Sequence, residues 1–591
     1  MRTIFILCLF ICFAGFSQED ALANEYFKNS EFEKALLEYK KVFAKAPSNI
    51  NYINQIIATY QELEQYNEAE AFIQAQMARI NFPSFYVELG FNYQLKKDQV
   101  NADLNYKKAL ATIDANPSSV FSVARSFQSH ALLNEAVLSY EKAMELKPTF
   151  NFNLQLAQLY GEQGNLENMF TKYINFAETN PIAVNTVKRY INDFITEDAS
   201  NENNIILKKI LLKKSQQEPN VLWNDFLSWL FIQQKEFNKA FIQEKAIFNR
   251  QPESLFKIEE LALIASNENE LETAKDIFQF IIETSQDKDM LLDAHYNILQ
   301  IEIKQANKET FKKIDEKFKE LFKTYGYFSS TLKLQIAYAH FLAFYNETSK
   351  EASEFLENAL KLPLSQQEQA QVKLELGDIL VLQEQFNKAL IYYSQIQRNL
   401  KNSAVSQEAR FKVAKTSYYK GDFKWAESQL KILKASTSQL IANDALELKL
   451  LISDNKYEDS LHTALKLYAK ADLLAFQNKN EAAIALLDRI LAEHKTEPIV
   501  AQTLYKQAQL FELKLEFSKA ESNYQAIIDN YSDGILIDDA YFRLARIYES
   551  HLNQPEKAKG LYEKIIFNHD DSIYIVEARK RFRALRGDDV N

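Results

Sequence analysis

The chain has 591 residues, with only 10 Gly, 10 Pro and 13% aromatic residues. That length exceeds one ordinary hydrophobic core, so a repeat array or several domains is required, and so few turn-formers exclude a β-rich or mixed fold of this size. With 69 Lys+Arg against 80 Asp+Glu, the net charge of −11 argues against nucleic acid as the main partner.

Met1 and Arg2 give a short positive start, and Thr3 to Phe13 form an apolar run too short to span a bilayer. Gly15 and Ser17 stand at the −3 and −1 positions of a cleavage point before Gln18. Residues 1–17 therefore read as a cleavable signal peptide, and the mature chain as an exported, periplasmic protein. Both cysteines, Cys8 and Cys12, lie inside this leader. The mature chain then has no disulfide, thiolate metal site or cysteine nucleophile. Leu7 and Ile11 precede the two cysteines, where a lipoprotein anchor wants a small residue, so no lipid anchor is expected. No later stretch approaches ~20 apolar residues, so no transmembrane span is expected in the mature chain.

From Ala23 the chain repeats itself. The first unit is Ala23, Tyr26, Phe32, Ala35, Tyr39, Val42 and Pro47. The second, weaker, is Tyr60, Tyr66, Ala69 and Ile73, and the third is Leu89, Gly90, Tyr93, Ala102, Tyr106 and Ala109. The fourth (Ala124, Phe127, Ala136, Tyr140, Ala143, Pro148) and the fifth (Ala157, Tyr160, Met169, Tyr173, Phe176, Pro181) match position for position, every step being 33 residues. Spacings of three and four put side chains on one helix face, so each unit reads as two amphipathic helices, A and B. The small residues let A and B approach, and the aromatics fill the space beside them at native density.

This pattern resembles the tetratricopeptide repeat, a helix–turn–helix unit of about 34 residues. One such hairpin cannot bury its apolar face alone, so units stack. The resemblance implies an all-α fold, a right-handed superhelical solenoid of roughly fourteen to sixteen hairpins.

Five regular repeats form an N-terminal stack over residues 18–181. Residues 182–220 read as an irregular repeat or hinge, with the polar run Glu197 to Asn204 as its most loop-like part. A middle stack follows over 221–400, opened by Trp223, Phe237 and Ala240 and including an irregular, charge-rich helix pair at 289–324. A C-terminal stack covers 401–570. There Gly421-Asp422 is a turn signal, and residues 437–480 read as an extra helix followed by a long helix A from Asp459 to Asn478. In the last repeat Ala558, Tyr562 and Ile565 come one residue late, which places an inserted residue near Asn553-Gln554-Pro555. Residues 571–591 are a capping helix and tail. The basic run Arg579, Lys580, Arg581, Arg583 and Arg586 is the polar face expected of a solenoid cap rather than a docking site.

No catalytic constellation appears. None of the histidines, His130, His295, His340, His462, His494, His551 and His569, has a partner at a metal-ligand spacing such as H-E-x-x-H. Phosphate-loop, dinucleotide and nucleophile-elbow glycine patterns are missing. We therefore expect no enzyme, no cofactor and no metal site. Lys208, Lys209, Lys213 and Lys214 cluster on one helix and read as a solvated face.

The family resemblance places partner binding on the concave wall, lined by helix A. Carrying its wall positions over gives Val87, Phe91, Phe121, Arg125, Gln128, Leu154 and Gln158 in the N-terminal stack. Further on it gives Trp229, Phe256, Phe411, Tyr418, Tyr468, Tyr505, Phe542 and Arg546. Aromatic and Arg side chains dominate binding hot spots, so the candidate contacts are Phe91, Phe121, Arg125, Gln158, Trp229, Tyr505, Phe542 and Arg546. One subfamily clamps a terminal carboxylate with Lys and Asn. The equivalent positions here are Asp20, Asn24, Gln55, Ser84 and Glu88, where only Asn24 fits and the acids repel. The partners implied are proteins or extended peptide segments. The repeats from about 400 to 586, with runs beginning at Glu408 and Asp538, are loosely similar to those of outer-membrane-assembly lipoproteins and cell-division coordinators. That likeness implies a scaffold in the assembly or secretion of envelope proteins, peripherally associated with an outer-membrane complex. The alternative is an adaptor coordinating cell-wall synthesis or division enzymes.

If the phase is right, Ala136→Leu overpacks an A–B contact and lowers stability by roughly 1–3 kcal/mol, read as a lowered midpoint in a thermal melt.

Overall fold

The structure is a computed structural model that describes residues 20–433, 439–456 and 462–588. The leader assigned to residues 1–17 lies outside the described residues, as do the last three residues of the tail and the expected helix start at Asp459.

Every regular element among the described residues is helical. Thirty-two α-helices run from residues 20–28 to Ile575–Arg586, with three short 3-10 turns between them. Thirty of the helices follow one another as fifteen helix–turn–helix pairs; Gln439–Asp454 and the terminal helix stand outside the pairing. The fold is thus an all-α solenoid of tetratricopeptide-type repeats. It divides into two compact units, residues 1–277 and 278–591.

In the first unit, helices Phe85–Leu95 and Gln99–Ala115 pack on each other, as do Val120–Ser129 and Leu133–Leu146, and Asn153–Glu162 and Leu166–Thr179. Ala124, Phe127, Ala136 and Ala143 are fully buried at these contacts. The small residue of helix A meets the tyrosine of helix B sixteen residues later: Ala23 with Tyr39, Gly90 with Tyr106, Ala124 with Tyr140. At Gly90 even a methyl group would come within 2.5 Å of the Tyr106 ring. Four of these helix-B phenols find an acceptor on their own helix A. Tyr39 donates to Asn24 Oδ1 at 2.9 Å and Tyr106 to Gln94 Oε1 at 2.8 Å. In the second unit Tyr393 donates to Asp378 Oδ1 at 2.6 Å and Tyr562 to Glu549 Oε2 at 2.7 Å. Burial pushes the Tyr39 hydroxyl up to about 12.

The turn between A and B is equally regular. Ser30, Glu64, Lys97, Ala131 and Gly164 take φ of 59°, 57°, 63°, 55° and 72°, at steps of 34, 33, 34 and 33 residues. The N–H of the next residue donates to the carbonyl five residues back, as Gln65 does to Tyr60 and Leu132 to Phe127, both at 2.9 Å. This is the Schellman closure of a helix end. In the last pair, with Asn553 at φ 50°, the Gln554 N–H reaches back six residues to Tyr548, which is where the inserted residue sits.

Within residues 182–220, helices Val184–Asn192 and Glu202–Gln217 are joined by a segment tied to one side chain. Asn204 is fully buried. Its Nδ2 donates to the carbonyls of Thr196 and Asp198, both at 2.7 Å, and its Oδ1 accepts from the Thr196 N–H at 3.2 Å.

In the second unit the added helix Gln439–Asp454 packs on Phe423–Leu433 and buries Ala445, Leu448 and Ile452. The helix after it, Thr463–Phe476, packs on Ala404–Tyr419, and its far end reaches much earlier repeats. Lys470 pairs with Glu384 at 2.8 Å, the Gln477 amide donates to the Leu382 carbonyl at 3.0 Å, and the Phe476 ring meets Phe344 edge-on at 5.6 Å.

A left-handed backbone costs a non-glycine residue roughly 1–2 kcal/mol, partly offset by the greater chain entropy of glycine when unfolded. Ala131→Gly, and likewise Leu515→Gly at φ 60°, should therefore each raise stability by about 0.5–1 kcal/mol, seen as a higher melting midpoint.

Candidate partner-binding groove

In the first unit, the A helices Ile50–Glu62, Phe85–Leu95 and Val120–Ser129 lie side by side. They border a groove of ≈ 1520 Å³. Six wall positions carried over from the repeat phase line it: Gln55, Ser84, Glu88, Phe91, Phe121 and Arg125. One rim is made by the C-terminal ends of the three helices and carries Glu62, Glu64, Leu95 and Ser129; the opposite rim carries Phe82, Pro83 and Phe121.

Between the rims sits Glu88, only 5% exposed. Its Oε1 accepts from the Ser126 hydroxyl at 2.6 Å, and its Oε2 lies 2.9 Å from His130 Nε2. The His130 ring stacks on Phe91, with centroids 3.9 Å apart and planes at 18°. Phe121 is 59% exposed and is steadied edge-on by Phe150 and Phe152 at 5.8 and 5.4 Å. On three groove-lining residues, a buried polar atom has no partner among the described residues: Asn54 Oδ1, Gln61 Nε2 and Ser84 Oγ. Ser84 is 2% and Gln61 7% exposed. An unsatisfied buried group costs about 1–3 kcal/mol.

The structure thus brings Phe91, Phe121 and Arg125 together. Gln158, exposed on Asn153–Glu162, and Trp229, half-buried on Val221–Gln233, lie outside this groove. In the second unit Tyr505 donates to Asp539 Oδ1 at 3.2 Å, and burial pushes its hydroxyl upward. Phe542 is 9% exposed and stacks on Tyr574 at 4.3 Å, while Tyr574 donates to the same Asp539 oxygen at 2.7 Å. Arg546 is exposed on the helix that carries Phe542. Val87 and Tyr418 are fully buried, so they hold helices together and present no surface to a partner.

The sequence reading passed over a set of ion pairs that stitch neighbouring A helices. Asp225 holds Lys188 at 2.6 Å and Lys257 at 2.7 Å. Asp378 holds Lys412 at 2.6 Å, and Asp472 holds Lys415 at 2.8 Å and Lys506 at 2.7 Å. The available signal was an aspartate and a lysine 34 residues apart on helix A, at 378 and 412 and again at 472 and 506. Burial pushes the Asp472 carboxyl up, but Lys415 and Lys506 outweigh it and hold the group well below the usual carboxylate range. Lys214, from the cluster read as a solvated face, pairs with Glu178 at 2.6 Å.

Among the described residues, no group of three His, Cys, Asp or Glu side chains could hold a metal ion, and no helix is long and apolar enough to cross a membrane. Paired helices, a left-handed residue at the turns and a small-against-aromatic contact define a helical repeat scaffold. The Tetratricopeptide repeat family profile matches residues 539–572, the last helical pair. No curated protein matches the chain. Among solved structures, the crystal structure of the APC/C hetero-tetramer Cut9–Hcn1 is similar at 13% identity and TM-score 0.25, covering 96% of each chain. The structure of Naa15/Naa10 bound to HypK-THB is similar at 12% identity and TM-score 0.26, covering 97% of this chain and 94% of that one. At these scores neither bears on what this chain binds.

The carboxyl of Asp472 is depressed in the folded chain, so its stabilising contribution is complete above the unfolded value near pH 4 and is lost as pH falls through the folded value. Asp472→Asn should lower stability at neutral pH by about 2–3 kcal/mol, since its lysine partners are partly solvated. In denaturant titrations across pH, the gap between the two proteins should narrow below about pH 4.

Proposed function

We propose that this chain is a non-enzymatic scaffold of the bacterial envelope that holds an extended segment of a partner protein in the groove of its second to fourth repeats. The observation that carries this reading is the joint presentation of Phe91, Phe121 and Arg125 on the wall of one groove. Aromatic and Arg side chains held together in a groove are the residue types that anchor a partner, and an extended segment presents alternate side chains to such a wall.

The envelope assignment is supported by the leader pattern from Met1 to Ser17 and by a chain free of cysteine after residue 17. Within the envelope, the process served is the assembly or secretion of envelope proteins, with the scaffold peripheral to an outer-membrane complex. Amino-terminal sequencing of the purified mature chain should begin at Gln18; a chain beginning at Met1 overturns the export reading.

Crosslinked envelopes supply the functional test. Wild-type chain should retain β-barrel or secretion components that the Phe91→Ala/Phe121→Ala variant loses by tenfold or more, a loss of about 1.4 kcal/mol or greater. Equal recovery by both proteins would place the binding surface elsewhere.

A further inference from the structure

The terminal helix Ile575–Arg586 repeats helix Ile537–Ser550 at a step of 38 residues. Leu536, Ala540, Leu544 and Ile547 are answered by Tyr574, Ala578, Phe582 and Leu585, and both sets pack into the core of the second unit. The correspondence breaks on one face. Tyr541, Ala545 and Tyr548 turn toward helix B, Pro555–Asn568. Lys564 Nζ lies 5.2 Å over the Tyr541 ring, Lys557 Nζ lies 5.0 Å over the Tyr548 ring, and Ala545 between them is fully buried. Their counterparts on the terminal helix are Arg579, Arg583 and Arg586, all exposed. No further helix follows among the described residues. Three arginines would in any case refuse the apolar face of an ordinary helix B. The terminal helix is therefore a helix A whose helix-B face has been rewritten in positive charge.

We propose that this face docks an acidic helix of a partner protein, lying where helix B lies in a complete repeat. A solenoid cap needs a polar outer face, but one of either sign. This helix carries five cations and one carboxylate, in a chain whose net charge is −11. The helix dipole accounts for Arg583 and Arg586 in the last turn but not for Arg579 and Lys580 further back. Arg579 and Arg583, four residues apart, repel each other, and a partner's carboxylates relieve that repulsion. The chain itself shows the pairing. Gly587, at φ 85°, turns the backbone, so that Asp588 accepts from Arg586 Nε at 2.9 Å and lies 3.8 Å from Arg583 Nε. Asp588 serves only that end. Arg579 and Lys580, both exposed, have no ion pair among the described residues, and the one acid on the helix, Glu577, is held by Arg581 at 2.7 Å. Arg579 and Arg586 stand about 10 Å apart at ~1.5 Å per residue, so the partner's acids recur at three- and four-residue steps over two turns. Asp570 and Asp571, exposed in the loop before Ile573 and Val576, would repel an anionic bilayer, which favours a protein over a lipid surface.

The test uses the full chain and a labelled synthetic helical peptide with Glu at three- and four-residue steps along one face, followed by fluorescence anisotropy. The Arg579→Gln/Lys580→Gln variant, changed only at exposed positions, should bind this peptide about tenfold more weakly than wild type at low salt, and high salt should shrink the difference. The Arg579→Lys/Lys580→Arg variant should keep most of the affinity. A peptide of the same composition with its Glu residues spread around the helix should bind more weakly. The Phe91→Ala/Phe121→Ala variant should bind the Glu peptide as wild type does; a loss there would place the peptide in the groove and overturn the proposal. No binding to wild type, equal binding to the double-Gln variant, or equal binding of the redistributed peptide overturns it too. So does capture of wild type, but not of the double-Gln variant, by phosphatidylglycerol vesicles when the Glu peptide fails, since the face would then be a lipid-binding surface. A thermal melt of each variant matching wild type shows that the fold is intact.

Discussion

A helical hairpin of this kind has more apolar surface than it can bury, and everything else in the chain follows from that. The contact of a small helix-A residue with a large helix-B residue, a tyrosine in the most regular repeats, closes the hairpin, and a neighbouring hairpin covers what remains exposed. Gly90 against Tyr106 and Gly377 against Tyr393 leave no room for a methyl group, so the tolerance at this contact is a fraction of an ångström. The hydroxyls of Tyr39, Tyr106 and Tyr393 need a polar partner inside an apolar layer, and helix A supplies one. Residue size thus fixes the approach of the helices, and a hydrogen bond fixes their rotation.

Once the A helices are set side by side, their polar residues face one another at one-repeat intervals. That juxtaposition creates both the ion pairs around Asp225, Asp378 and Asp472 and the groove over Glu88. The same geometry serves two ends. Where an aspartate lies between lysines, the wall is closed by charge pairing. Over the groove, Glu88 meets Ser126 and His130 instead of a lysine among the described residues. The pairing of charges, rather than any change of fold, separates the stretches closed by aspartate–lysine pairs from the stretch over Glu88.

Much of the fold was legible because it is periodic. Ala124, Phe127, Ala136 and Tyr140 are buried where their spacing places them, and the wall positions implied by the family resemblance include Phe91, Phe121 and Arg125, which line one groove. What stayed hidden is what the period does not encode. Glu88 meets Ser126 and His130 across 38 and 42 residues, neither of which is the repeat length. Lys415 reaches Asp472 across 57 residues because the helix Gln439–Asp454 intervenes. The turns were obscure for another reason: a left-handed residue is usually announced by glycine, yet here Ser30, Glu64, Lys97 and Ala131 take that role. Phe542 and Tyr505 carry the right residue types, but Tyr574 and Asp539 draw them into contacts of their own.

The back-folded end of helix Thr463–Phe476 gives the second unit a property that simple repeat arrays lack. Where every contact is with the next unit, a chain pulled from its end peels apart one hairpin at a time. Here Asn478 bonds to the Phe344 carbonyl across 134 residues, and Lys470 and Gln477 hold Glu384 across 86 and 93. These links form a clasp that fastens a loop of several repeats, so force applied at the carboxyl end meets a mechanical stop near residue 478. Repeats beyond the clasp can yield singly, whereas those inside it are shielded until the clasp gives way and then lose their shelter together. A scaffold strained between two large partners would therefore lengthen in small steps at its end while keeping its middle intact.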